Sequence, residues 1–200
     1  MIDPRPVILE GNGVRLEPLE RSHAAALRDA AADGELWKLW YVAVSGLAAG
    51  KEQAYVDAAL EGQRRGDMLV WVVRELSTDT IVGSTRYGNI IPEIGRVEIG
   101  YTFYAQRWQR THVNTACKLL LLRHAFDTLG CSVVGFRVDD LNAKSQIAVE
   151  ALGAKKDGVI RRFEVRANGS ARDTHIYSIV DTEWPDVCRR LEERLRRYSA

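Results

Sequence analysis

The strongest constraint is a change of hydrophobic period in mid-chain. Met68–Glu75 is a short apolar run, polar at its ends, and Ile81–Tyr87 follows across the turn Ser77-Thr78-Asp79. Arg96–Tyr104 then alternates apolar and polar residues. Three short strand-like segments with tight connections predict an antiparallel meander. From Asn114 to Leu129 the period lengthens, with Leu119, Leu122, Phe126 and Leu129 spaced by three or four. That is a helix, stopped by Gly130.

The flanks extend the pattern. Gly11-Asn12-Gly13 is a turn, and Val14, Leu16 and Leu19 begin a strand. Ser22 is placed to cap a helix running to Ala32, and a second helix spans Glu52–Arg65 before Gly66. After the central helix come a branched strand at Val133–Val138 and a helix at Asn142–Leu152, closed by Gly153. Strands at Val159–Arg166 and Thr174–Val180 are joined by Asn168-Gly169, a hairpin signal, and Glu183–Tyr198 is a charged amphipathic helix. The order predicts a mixed α+β fold: a mostly antiparallel sheet with one strand–helix–strand crossover.

With 200 residues the chain fits one domain, with a core over about 8–180 and a C-terminal helix over about 183–198. A net charge of +1 gives no field that favours nucleic acid or a membrane surface. Cys117, Cys131 and Cys188 are odd in number and widely spaced, so neither a disulfide framework nor a metal site is expected. Cys117 and Cys131 read as small core residues. Met1–Glu10 lacks a leader pattern and no apolar run nears the ~20 residues of a membrane span, so a cytoplasmic protein is expected.

Chemistry concentrates in Val97–Thr115, VEIGYTFYAQRWQRTHVNT, where a strand runs through a short loop into a helix. The first N–H groups of a helix lack internal partners, and its dipole adds positive charge there. Arg107 and Arg110 add more, so the segment suits a pyrophosphate. An ordinary capped helix explains the same residues. No GxGxxG follows a strand with an acidic residue about 20 positions on, which makes a dinucleotide-binding oxidoreductase a poor reading.

The chain resembles the GNAT superfamily of N-acetyltransferases, in the branch of the bacterial ribosomal-protein N-terminal acetyltransferases. The resemblance covers about Val14–Val180 and rests on three stretches. EIGY at Glu98–Tyr101 looks like the strand that pairs with pantetheine. Gln109-Arg110-Thr111-His112-Val113-Asn114 looks like the pyrophosphate loop, Gln/Arg-x-x-Gly-x-Gly/Ala in the family. Asn142 with AKSQIAVEALGAKKDGVIRR looks like the helix beside the cofactor and the strand after it. His112 and Asn114 replace the glycines of the pattern; a sub-branch reading W-x-x-T-x-V-N-T also carries Asn there.

The resemblance implies direct acetyl transfer from acetyl-CoA to a primary amine, on a protein N-terminus or a small molecule, without a metal. It assigns the cofactor to Tyr101, Thr102 and Phe103 on a splayed strand, to Gln109, Arg110, Thr111, His112, Val113, Asn114 and Thr115 in the loop, and to Asn142, Lys144 and Ser145. Ser145 is the candidate acid, Tyr177 a second, and Glu98 the candidate base; His112 and His175 are weaker choices. Each has a plain structural reading beside it: a helix-opening serine, a packed tyrosine, an ion-paired glutamate. Trp37, Trp40 and Tyr41 either wall the acceptor pocket or belong to the core. A non-catalytic acyl-CoA-binding or sensor protein of the same fold is the competing reading. Trp184, Val187, Leu191 and Leu195 form one stripe, expected to pack on the chain's own sheet, with a homodimer left open.

Overall fold

The computed structural model describes residues 1–39, 41, 42 and 44–198. Its strands are β1 (Leu9–Gly11), β2 (Val14–Pro18), β3 (Met68–Glu75), β4 (Thr80–Ile91), β5 (Arg96–Tyr104), β6 (Val133–Asp139), β7 (Lys155–Val165) and β8 (Ala171–Val180). Its α-helices are α1 (Ala24–Ala32), α2 (Glu52–Arg64), α3 (His112–Arg123), α4 (Ala143–Leu152) and α5 (Trp184–Arg196). The strands form one sheet in the order β1-β2-β3-β4-β5-β6-β8-β7, in which only β5 and β6 pair in parallel. The expected α+β architecture and the β3–β4–β5 meander are both present.

Two cores sandwich the sheet. On one face α3, α4 and α5 bury Trp71, Tyr87, Leu119, Leu122, Phe136, Tyr177 and Leu191. On the other, α1 and α2 bury Leu27, Leu47, Val56, Val70, Val72 and Phe103. Full burial of such side chains contributes roughly 1.5–3 kcal/mol each. The α5 stripe packs within the chain, as expected: Trp184, Val187, Leu191 and Leu195 are all buried. Cys117 and Cys131 are buried and Cys188 half-buried, all as free thiols. Among the described residues no helix is long and apolar enough to cross a membrane.

Several boundaries move for physical reasons. Leu9–Gly11 is a strand, because Asn12 (φ 52) and Gly13 (φ 78) make a two-residue hairpin turn onto β2. β4 continues past Tyr87 to Ile91, since Asn89 at φ 44 absorbs an irregularity and Ile91 still pairs with Arg96. β7 starts at Lys155, where a polar sequence is drawn into the sheet by pairing with β8. Thr111 caps α3, which begins two residues earlier than its apolar period. The helix widens into a π turn at His124–Thr128. There the Tyr87 hydroxyl donates to the Leu121 carbonyl, taking an acceptor from the helical ladder. Ser22 caps nothing; it lies in the 3-10 turn Arg21–His23 that precedes α1.

The β3–β4 turn is fastened by one carboxylate. Glu75 accepts bonds from the N–H and hydroxyl of both Ser77 and Thr78 at 2.7–3.1 Å. Burial pushes this carboxyl up, but those donors overcome it and hold it at about 2. Folding stability drawn from Glu75 is therefore complete above pH ~4.5 and fades as pH falls through about 2. Glu75→Gln should lower stability by about 2 kcal/mol at pH 7, with the difference shrinking in acid; urea titrations at pH 7 and pH 2 measure both.

Candidate functional site

The site starts where two parallel strands part. β5 and β6 pair only at Arg96–Val133, Val97–Val134 and Glu98–Gly135. Beyond Glu98, β5 keeps its ladder to β4 while β6 continues against β8. The β5 edge from Ile99 to Tyr104 thus faces a slot instead of a strand, leaving main-chain donors and acceptors to be met there. A bulge sits on this edge: β4 residues Ser84 and Arg86 face Phe103 and Gly100, so Tyr101 and Thr102 stand opposite Thr85 alone. Tyr101 takes φ 51, which re-aims the backbone at that point. Gly83 permits the close approach on the other side, since a Cβ there would lie 2.0 Å from the Phe103 carbonyl oxygen.

Because β5 and β6 run parallel, the helices that follow them start at the same end of the slot. Open parallel sheets bind ligands at this carboxyl end. After β5, Arg107 pairs with Asp33 at 2.5 Å, so its charge is spent on the end of α1. Gln109 donates to the Tyr104 carbonyl at 3.1 Å and holds the loop to the strand. Arg110 is exposed, at φ 63, without an ion pair among the described residues. Thr111 donates to the Trp108 carbonyl and accepts from the Val113 N–H, as the cap of α3. The N–H groups of His112 and Asn114 in the first helical turn are left for an outside acceptor. Val113 and Thr115 are buried and contribute packing.

The glycine-free loop is therefore conformationally sound. The left-handed backbone falls on Arg110, while His112 and Asn114 are helical. The His112 ring lies against the β1–β2 turn, where a Cβ on Gly13 would be 3.1 Å from Nε2, and its other neighbour is Tyr198. It occupies the hairpin side of the loop.

After β6, Asp139 and Asp140 are bound by Arg166, and Asp139 also accepts the Leu141 N–H. This fixes the entry to α4, whose cap Asn142 accepts from the Ser145 N–H at 3.1 Å. Ser145 is half-buried and Lys144 exposed. Among the described residues the Ser145 hydroxyl has no hydrogen-bond partner. Tyr177 lies elsewhere: it is fully buried, donates to Glu150 at 3.0 Å, and burial with that bond raises its phenol to about 12. That bond ties the hydroxyl to α4.

Glu98 sits at the fork, 7% exposed. One oxygen accepts from Asn89 (2.9 Å) and Arg96 (3.3 Å), the other from Arg137 (2.6 Å). Trp37 packs partly buried against the α1–α2 core, and Tyr41 is half-buried nearby in sequence. Trp40 lies outside the described residues. Phe103 is in that same core, so only its backbone borders the slot.

One residue of the site carries no mark in the sequence. Lys118, on α3, is 6% exposed and donates to Thr102 Oγ1 at 3.0 Å, which in turn contacts Thr85 at 2.8 Å. Burial lowers its ammonium to about 8. For a lysine whose folded value is depressed, stability rises as pH climbs from about 8 to 10.5. The stability of Lys118→Met relative to the parent should be about 3 kcal/mol more favourable at pH 7 than at pH 11. Denaturant titrations of both proteins across that window check this.

The acetyltransferase (GNAT) domain family matches residues 14–155. The uncharacterized N-acetyltransferase YoaA of Bacillus subtilis (strain 168) is 28% identical over 123 residues, 62% of this chain and 67% of that protein. A crystal structure of a candidate acetyltransferase from T. thermophilus has a TM-score of 0.85 at 32% identity, covering 97% of this chain and 100% of the other. Mycobacterium smegmatis RimJ, solved with CoA-disulfide, shares the fold at 20% identity with a TM-score of 0.77, over 94% of this chain and 95% of its own. A family match over most of the chain, on a sheet whose β5 and β6 part beside the cap of α3, leads to one assignment: the protein is a member of the GNAT acetyltransferase family.

Proposed function

We propose that the protein binds acetyl-CoA in the β5–β6 slot and acetylates a primary amine that enters from the α1–α2 side. The observation that carries this is the unpaired, bulged edge of β5 ending at an anion loop. RimJ binds a CoA derivative on the same fold. The residues fit the cofactor: the Ile99–Tyr104 edge offers a ladder to amide groups, and the His112 and Asn114 N–H groups with Arg110 suit a pyrophosphate.

When bound, acetyl-CoA supplies an acetyl group activated as a thioester. Around it the chain does three things. The re-aimed backbone at the Tyr101 bulge presents an N–H where negative charge builds on an oxygen. Ser145, with its hydroxyl uncommitted, holds a proton for the leaving sulfur. Glu98 faces the α1–α2 side at the fork and receives the proton of the attacking amine, directly or through water. The engagement of both Glu98 oxygens favours one rival, an acyl-CoA sensor without turnover. Thiol release over an amine library separates the two.

Two substitutions test the assignment. Asn114→Asp puts a carboxylate in the first turn of α3, where it favours the helix but repels a pyrophosphate. Acetyl-CoA affinity by calorimetry should fall roughly tenfold, without loss of thermal stability; equal affinity would remove the loop from the cofactor site. Ser145→Ala should lower kcat about 100-fold with little change in KM. A parental rate would take Ser145 out of the mechanism.

A further inference from the structure

Among the described residues, Arg86 is the one buried guanidinium in this site with no carboxylate beside it. It is 5% exposed, and its Nε is buried without a hydrogen-bond partner. Its Nη1 reaches only the Met68 sulfur, at 3.5 Å. Aromatic rings flank it: Tyr55 of α2 at 5.1 Å and Tyr101 at 4.7 Å from the guanidinium carbon. The Tyr55 hydroxyl is itself buried and unpartnered. Ring faces offset part of the loss of water around a cation, but they leave the N–H groups unmet.

Its place in the sheet gives these unmet donors a use. Arg86 pairs with Gly100, directly across from the bulge. Gly88 pairs with Glu98, so Arg86 and Glu98 stand two positions apart along the sheet on one face, the face that α2 covers. With Nη1 turned to Met68, the Nε–Nη2 edge is the fork left over, and that edge matches the two oxygens of a carboxylate. Tyr101, 47% exposed, is the wall of the site that borders solvent.

We propose that the acyl acceptor is an amine bearing a carboxylate, and that Arg86 with the Tyr55 hydroxyl binds that group while the amine lies towards Glu98. The proposal rests on the acetyltransferase reading for the identity of the acceptor, but the anion site can be tested without it. In the first arm the Arg86 Nε–H resonance, identified by its loss in Arg86→Lys, is followed by NMR in the full-length protein. Sodium formate and formamide are titrated at constant ionic strength. A saturable shift with formate and none with formamide is expected; no saturable shift with formate overturns the proposal.

The second arm measures thiol release with matched pairs of acceptors, an amino acid or peptide against its carboxamide. The parent should prefer the carboxylate member by roughly 30-fold in kcat/KM. Arg86→Gln should abolish that preference, and Tyr55→Phe should reduce it. A preference of the same size in parent and Arg86→Gln overturns the proposal and leaves the acetyltransferase reading intact. Formate binding at Arg86 without acetyl-CoA binding or turnover overturns the acceptor assignment and the acetyltransferase reading together, and keeps only the anion site.

Discussion

The parting of β5 and β6 is the constraint on which the rest is built. Separating two strands of one sheet leaves main-chain groups without ladder partners, which a folded chain tolerates only at a wet or liganded edge. The split is bounded sharply. Glu98 of β5 and Arg137 of β6 form an ion pair across the last paired position, so the fork is riveted where it opens. Gly135 makes room for this, since a Cβ there would collide with Arg96 and crowd Glu98. Glu98 thereby has two roles to reconcile: it holds the strands together and is the carboxylate nearest the bulge. Its burial with two guanidiniums is strongly destabilising to disrupt, so a loss of activity on replacing it must be separated from a loss of the fork.

The two faces of the sheet present different chemistry to the same stretch of β5. On the α3 face stand Thr85, Thr102 and Lys118, a small polar cluster in which Thr85 and Lys118 are buried and Thr102 half-buried. On the α1–α2 face stand Arg86, Tyr55 and Tyr101. The bulge separates them, because it lets neighbouring residues of β5 serve opposite sides without strict alternation. A strand edge backed by a buried cation on either face is an electropositive place, which suits groups that carry or develop negative charge.

Much of this was legible in the sequence, and the failures have identifiable causes. The meander and its turn, the Asn168-Gly169 hairpin and the helix stops at Gly130 and Gly153 followed from local chemistry. β7 and the end of β4 did not, because their extension depends on pairing with distant strands. Lys118 and Arg86 were invisible for a related reason. Their element is buried on both sides, α3 between sheet and α5, β4 between two layers of helices. Alternation then no longer separates inward from outward positions, and a buried cation reads as a solvated one. For Tyr177, weighed as a second acid against plain packing, the sequence could not show that its hydroxyl bonds Glu150 of α4, since that contact joins distant elements. Where the loop takes its left-handed backbone was not legible either: it falls on Arg110, outside the two positions where the family pattern has glycine.

The contact between His112 and the Gly13 turn has a consequence for energetics at a distance. The loop before α3 and the N-terminal hairpin share one packed interface, although about a hundred residues separate them in the chain. By thermodynamic reciprocity, a ligand that steadies the loop also steadies the hairpin, and whatever loosens the hairpin weakens the ligand's grip. On the proposed binding mode, the first residues of the sheet act as an adjustable brace for the loop, set at a distance from whatever the loop holds.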